Sequence, residues 1–76
     1  MKELVEFMAR SLVDEPDAVE VEEEQDGDRI TFHLYVADGD MGKVIGKQGR
    51  IANAMRDLLK VAAVRDGVHA GLEIGD

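Results

Sequence analysis

The chain has 76 residues, no cysteine and a formal net charge of −8 at pH 7. A chain of this length is expected to form one domain, residues 1–76, that buries only about 60% of its unfolded surface, so a deep enclosed cavity is excluded. Without cysteine, disulfides and thiolate metal sites are excluded too. The N-terminus does not resemble a signal sequence, and no apolar run approaches the roughly 20 residues of a membrane span, so we expect a cytoplasmic protein that makes no contact with a membrane.

The first half of the chain predicts a helix followed by a hairpin. Apolar residues recur at helical spacing over residues 2–13, and Pro16 ends that helix. Residues 19–22 and 30–36 alternate apolar and polar side chains, which indicates two strands with one solvated face. The sequence Gln-Asp-Gly-Asp at residues 25–28 is typical of a tight turn, so the two strands should pair antiparallel.

The second half predicts a short helix, a long helix and a last strand. Asp40 is predicted to cap a helix of about residues 41–45, and a helical pattern covers residues 50–64. Gly67 can end the long helix in a left-handed conformation, and residues 68–74 alternate as a strand does. One face of the long helix is predicted to comprise Ile51, Met55, Leu58, Leu59 and Ala62. The order α-β-β-α-α-β predicts an α+β fold with helices packed on one face of a three-stranded sheet.

Charge is distributed unevenly along the chain. Residues 1–40 contain 13 Asp and Glu against 3 Lys and Arg, whereas residues 41–65 contain six Lys and Arg against Asp57 alone. Charges more than about 8–10 Å apart are largely screened at physiological salt, so the local field over residues 41–65 is positive. The acidic half narrows polyanion binding to one face of the molecule. The alternative interpretation of the basic segment is a solvated helix face.

The most informative motif is the turn Gly46-Lys47-Gln48-Gly49, which is followed by Arg50. Two glycines three positions apart let the backbone turn sharply and approach another molecule. The first N–H groups of the following helix favour an anion, and Lys47 and Arg50 add positive charge. A sugar-phosphate backbone fits these properties, since a GXXG loop clamps about four nucleotides in KH domains. The alternative is a tight connection between two helices with a structural role only.

The sequence gives little support for a metal site, a P-loop or a catalytic nucleophile. The acidic run Glu22–Asp28 does not fit a calcium loop, because His33 falls where a bidentate Glu is required. We interpret His33 and His69 as residues of strand surfaces and not as metal ligands, and Ser11 has no partnered base. Neither Gly-Lys pair has P-loop spacing. We therefore expect no catalytic residues, no metal and no cofactor.

The element order, with Gly-Lys-Gln-Gly between the last two helices, resembles a type II KH domain. Residues 11–21, Ser-Leu-Val-Asp-Glu-Pro-Asp-Ala-Val-Glu-Val, resemble the corresponding segment of small bacterial KH proteins. So do residues 40–52, Asp-Met-Gly-Lys-Val-Ile-Gly-Lys-Gln-Gly-Arg-Ile-Ala. The resemblance covers essentially the whole chain.

The resemblance implies a non-enzymatic protein that binds single-stranded RNA, as an RNA chaperone or post-transcriptional regulator. The loop would lie against the RNA backbone, apolar neighbours would form the groove floor or the core beneath it, and residues 68–74 would offer backbone groups to base edges. The predicted RNA-binding residues are Lys43, Val44, Ile45, Gly46, Lys47, Gln48, Gly49, Arg50, Ile51, Ala52 and Arg56. Arg56 and Lys60 should share an exposed helix face, and we expect Lys60 and Arg65 to be solvated. The acidic half argues against a wide RNA footprint.

The resemblance also implies protein partners. Related small KH proteins self-associate, which would make a homodimer, and pair with a larger KH protein of the Jag type. An alternative function is therefore that of a protein-interaction subunit that binds RNA effectively only with such a partner. Tyr35 is the only tyrosine and tryptophan is absent, so the aromatic stacking platform of other RNA-binding folds is missing.

Overall fold

The apolar patterns of the sequence become helices and strands in the predicted order. A computed structural model describes residues 1–75 of the chain. Its elements are α1 (Lys2–Leu12), β1 (Glu20–Asp26), β2 (Arg29–Tyr35), α2 (Met41–Ile45), α3 (Arg50–Asp66) and β3 (His69–Gly75). Single turns of 3₁₀ helix lie at Pro16–Ala18 and Asp38–Asp40, and a tight turn lies at Lys47–Gly49. The bounds of α2 are those predicted, and α3 continues two residues further than its pattern.

The three strands form one mixed sheet with β2 in the middle. β1 pairs antiparallel with β2, with Asp26 opposite Arg29, so the hairpin turn has two residues. Its first residue, Gly27, has a φ of 63°, which glycine adopts without steric cost. β3 pairs parallel with β2, with Phe32 opposite Leu72. A parallel neighbour needs a crossover, and the segment containing α2 and α3 supplies it.

One face of the sheet packs against α1 and α3 and forms the core. Phe32 and Leu34 of β2 are fully buried, as are Val5 of α1 and Leu59 of α3. The opposite face carries the polar residues of each strand, where His33 Nε2 lies 3.2 Å from a Glu24 carboxylate oxygen. Helices on one face of a three-stranded sheet confirm the predicted architecture.

The predicted buried face of α3 is only partly right. The residues that are buried are Ala52, Met55, Leu59 and Ala63. Leu58, by contrast, is 54% exposed. Because α3 carries apolar residues on several sides, its pattern alone does not decide which side meets the sheet.

The fold can be searched for a membrane-spanning helix and for a metal site. Across residues 1–75, no helix is both long enough and apolar enough to cross a membrane. In the same described part of the chain, no group of three or more His, Asp or Glu side chains is arranged to hold a metal ion.

Candidate nucleic-acid interface

The GXXG loop is a chain reversal built from positive backbone angles. Gly46 ends α2 with φ 76° and ψ 173°, and Gly49 precedes α3 with φ 75°. Gln48 between them has φ 59° and ψ 24°, and the N–H of Gly49 donates to the Gly46 carbonyl oxygen at 3.1 Å. A non-glycine residue in this left-handed region costs of order 1–3 kcal/mol and persists where the surroundings enforce it. The loop is thus a defined shape with Gln48 at its tip.

The two glycines of the loop are needed for different reasons. A Cβ on Gly46 would lie 2.6–3.0 Å from three atoms of the Ile51 side chain, so the missing side chain of Gly46 makes room for Ile51. A Cβ on Gly49 would meet nothing closer than the Asn53 side-chain nitrogen at 3.9 Å. The sequence argument that both glycines leave room for an outside molecule therefore applies to Gly49, whereas Gly46 serves internal packing.

The apolar residues beside the loop divide between core and surface. Val44 is 0% exposed and Ala52 is 3% exposed, so both support the loop from beneath and offer no surface to a ligand. Ile51 is half-buried below Gly46. Ile45 is 37% exposed and can contact a base. Of the predicted groove residues, Ile45 and Ile51 alone therefore reach the surface.

The cations near the loop are of two kinds. The side chains of Lys47 and Arg50 are exposed, and neither pairs with a carboxylate among residues 1–75. Lys43 differs, because its ammonium lies 3.2 Å from an Asp14 oxygen and 3.4 Å from an Asp40 oxygen. Two carboxylates therefore already hold the Lys43 charge that the sequence assigned to RNA, and Lys43 remains a predicted contact only.

Asp40 occupies the predicted cap position but has another role. Instead of capping α2, its carboxylate accepts hydrogen bonds from the N–H groups of Asp14 at 3.2 Å and Glu15 at 3.1 Å. We call Asp14, Asp40 and Lys43 the α2 clasp, since they tie the segment after α1 to the start of α2. Sequence spacing could not reveal this contact, because its partners lie about 25 positions apart along the chain.

The clasp also shifts the protonation of its members. Burial raises the pKa of Asp40. The two N–H groups and the Lys43 ammonium together lower it by more than burial raises it, so the pKa of Asp40 lies below its usual range. The carboxylates of Asp14 and Asp40 raise the pKa of Lys43. Both groups are therefore held in their charged forms near neutral pH, which fixes the base of α2 from which the loop projects.

Arg56 links the long helix to the last strand. Its Nε donates to the Leu72 carbonyl oxygen at 3.1 Å, and Nη1 donates to the Asn53 side-chain oxygen at 3.1 Å. Arg56 is consequently half-buried, whereas Lys60 is exposed, so the two share one face of α3 as expected but Arg56 is only partly open to solvent. The physical reason is that a carbonyl on the edge of β3 away from β2 lies within reach of its guanidinium. Asn53, which holds this guanidinium, gave no signal in the sequence.

Comparison with known proteins places the chain in a family. Residues 2–74 match the family model described as "KhpA/KhpB, KH domain". The chain is 51% identical over 74 residues to the RNA-binding protein KhpA of Clostridium perfringens, covering 97% of this chain and 99% of that protein. It is 49% identical over 76 residues to the RNA-binding protein KhpA of Halalkalibacterium halodurans, covering all of both chains.

Solved structures support the fold. A crystal structure of an Aquifex aeolicus Era variant bound to GDP.AlF4− superposes with a TM-score of 0.68 and 21% identity, over 96% of this chain and 28% of that chain. A crystal structure of Era in complex with MgGDPNP and nucleotides 1506–1542 of 16S ribosomal RNA superposes with a TM-score of 0.59 and 24% identity. This match also covers 96% of this chain and 28% of that chain. These likenesses confirm the type II KH fold. The chain belongs to the KhpA/KhpB family of KH domains, a family that is not enzymatic.

Proposed function

We propose that this chain is a cytoplasmic module that binds single-stranded RNA through the GXXG loop and the adjacent groove. The observation that carries the proposal is the loop itself, in which exposed Lys47, Gln48 and Arg50 surround a backbone reversal at the start of a 17-residue helix. Relatives about half identical over nearly the full length are called RNA-binding proteins, which supports the same conclusion. As an RNA chaperone or post-transcriptional regulator, the module holds RNA without changing it chemically.

The loop contacts the phosphates of the RNA. The first turn of α3 has N–H groups that its own helix leaves unpaired, and the helix dipole adds a partial positive charge of about one half at this end. Open space beside Gly49 lets a phosphate oxygen reach these groups. Lys47 and Arg50, which no described carboxylate neutralises, supply mobile charge at the same point.

Bases lie in the groove between the loop and β3. Ile45 provides apolar contact on the loop side, whereas Ile51 lines the depression between α1 and α3. The edge of β3 provides backbone groups on the other side, and Arg56 already occupies one lone pair of the Leu72 carbonyl. A carbonyl oxygen has two lone pairs, so a base amino group can share this acceptor. Without an aromatic platform, such contacts discriminate weakly among bases, and binding should tolerate many sequences.

The double substitution Lys47→Asp with Gln48→Asp tests the role of the loop. It removes a cation and adds two carboxylates where phosphates would lie, while aspartate tolerates the left-handed angles of Gln48. We expect fluorescence anisotropy with a labelled pool of randomised 10-nucleotide RNA to show salt-dependent binding by the wild type and none by this variant.

A matched control keeps the charge change but moves it. Lys2→Asp with Gln25→Asp makes the same two exchanges at exposed positions on α1 and β1, away from the loop. This control should bind RNA nearly as the wild type does. Equal losses in both double variants would mean that the net charge of the chain matters and that the loop does not, which would contradict the proposal.

A second candidate function, that of a protein-interaction subunit, is favoured by exposed apolar side chains. Phe7 of α1 is 71% exposed, and Val61 and Val64 of α3 are 64% and 78% exposed. A depression of about 260 Å³ between α1 and α3 has Phe7, Leu12 and Leu58 in its lining. A homodimer, or a heterodimer with a larger Jag-type KH protein, would cover this surface and raise the effective concentration of a second groove.

The two candidates make different demands on the purified chain. A self-sufficient RNA module binds RNA alone, whereas a partner-dependent subunit binds only when the larger KH protein is added. Light scattering with Leu58→Asp, whose position is exposed and can accept a charge, reports on self-association. A dimeric wild type and a folded monomeric variant would support the apolar surface as the interface.

A further inference from the structure

A groove follows the edge of β3 that faces away from β2, beyond the region next to the loop. It consists of two depressions of about 540 Å³ and about 370 Å³. Arg29, Lys60 and Ala70 line both depressions, so the two are continuous. Because α3 forms one wall and β3 the other, a ligand that leaves the loop region along α3 would enter this groove.

Two cations from opposite walls converge on the groove. Arg29 begins β2 on the solvated face of the sheet, opposite His69 of β3 in the parallel register. Its Nη2 lies 3.6 Å from the position that a Cβ of Gly71 would occupy, so the absence of a side chain there lets the guanidinium cross over β3. Lys60 reaches the groove from α3, one turn after Arg56.

The charge of this groove contrasts with that of the whole chain. Arg29, Arg56 and Lys60 line the first depression against Glu73 as the only acidic residue of its lining. None of these three cations pairs with a carboxylate of residues 1–75, although the chain has 17 Asp and Glu against 9 Lys and Arg. Like charges brought together without a counter-ion repel one another, and a bound anion relieves that repulsion.

We infer that Arg29 and Lys60 form a second phosphate subsite, which binds the same RNA strand beyond the nucleotides held at the loop. The inference rests on the proposed RNA-binding function. Lys60 lies 11 residues after Gly49, about 16 Å further along the helix, so one phosphate cannot reach both places. Polymeric RNA is the anion that fits, because a continuous groove leads from the edge carbonyl held by Arg56 to the subsite. The footprint is then longer than the about four nucleotides that a GXXG loop clamps.

Two lengths of RNA and one pair of substitutions test the subsite. Arg29→Gln with Lys60→Gln should weaken binding of a fluorescein-labelled randomised 10-nucleotide pool about fivefold near 0.1 M salt, and lower the salt slope by about 0.7 for one lost phosphate contact. Binding of a 4-nucleotide pool, which the loop alone can hold, should not change. The charge-keeping exchange Arg29→Lys with Lys60→Arg should retain most of the 10-nucleotide affinity.

The matched control is Lys2→Gln with Arg65→Gln, which has the same net charge and alters exposed positions outside the groove. Circular dichroism and thermal melting establish that each variant is folded. Unchanged 10-nucleotide binding in the Arg29/Lys60 variant would overturn the subsite, and so would equal weakening for both RNA lengths or in the control. If the wild type binds neither pool, the proposed function itself fails and the subsite with it, an outcome that the wild-type measurement alone identifies.

Discussion

Lys43 and Lys47 lie four positions apart, on either side of the end of α2, but their surroundings differ. In the α2 clasp, Lys43 is held by Asp14 and Asp40 within 3.4 Å. At the loop, Lys47 is exposed and no carboxylate of the described residues pairs with it. A lysine next to a GXXG motif therefore serves either the fold or the ligand, depending on which carboxylates the rest of the chain brings to it.

The same contrast holds for the two faces of the molecule. The loop, the start of α3 and the groove along β3 carry cations, whereas the open face of the sheet carries glutamates. The Glu22 carboxylate, partial burial and the carboxylates of Glu73 and Glu20 raise the pKa of Tyr35 on that open face, which reports a negative field there. A chain with a net charge of −8 can therefore bind a polyanion, because the cations of its loop and groove pair with no carboxylate of residues 1–75.

The largest expected effect separates the two glycines of the loop. Gly46→Ala should cost about 3 kcal/mol of unfolding free energy, because the new Cβ overlaps Ile51 and the backbone angles suit glycine alone. Gly49→Ala should cost about 1 kcal/mol, because its site has space and only the left-handed angle is unfavourable. Urea denaturation of both variants checks this, and equal losses would show that Ile51 does not pack against Gly46.

The next effect separates the two lysines. Lys47→Gln should lower affinity for a 10-nucleotide RNA about fivefold near 0.1 M salt and leave the melting temperature unchanged. Lys43→Gln should leave the RNA affinity unchanged and lower the melting temperature. It removes the partner of two carboxylates and no free charge. Anisotropy and thermal melting on the same preparations measure both. A loss of RNA affinity in Lys43→Gln, with no loss of stability, would return Lys43 to the RNA contacts that the sequence predicted.

The smallest effect concerns the pH dependence of the clasp. The pKa of Asp40 is lowered in the folded chain, so its stabilising contribution is present above its ordinary pKa of about 4 and is lost as the pH falls through the folded value. Asp40→Asn should therefore be less stable than the wild type at pH 7, and the difference should narrow below about pH 4. Urea denaturation at several pH values tests this, and a difference that stays constant would show that Asp40 is not ionised in the clasp.

Much of this fold could be predicted from the sequence because its signals are local. The bounds of α2, the loop and the left-handed Gly67 at the end of α3, with φ 71°, all depend on residues within a few positions of one another. The rest depends on contacts between distant segments. The partners of Asp40 lie about 25 residues earlier, the carbonyl held by Arg56 lies 16 residues later, and Arg29 crosses a strand some 40 residues further on.

The site shows the same division between local and distant signals. Glycine spacing predicted a sharp turn, which the positive φ angles of residues 46, 48 and 49 confirm, while the role of this turn in binding RNA stays a prediction. The sequence could not show that Val44 and Ala52 are buried, because an apolar residue beside a loop can face either the core or a groove. The sequence could not predict the cationic lining of the β3 groove either, since Arg29 belongs to the acidic half of the chain.

The most direct test of the central claim is a titration of ¹⁵N-labelled protein with the 4-nucleotide RNA pool, followed by the backbone amide signals. We expect the largest shifts on residues 46–52 and on β3 near Leu72, with little change in β1 or on the open face of the sheet. Shifts concentrated on the exposed apolar surface of α1 and α3, or no shifts at millimolar RNA, would contradict it.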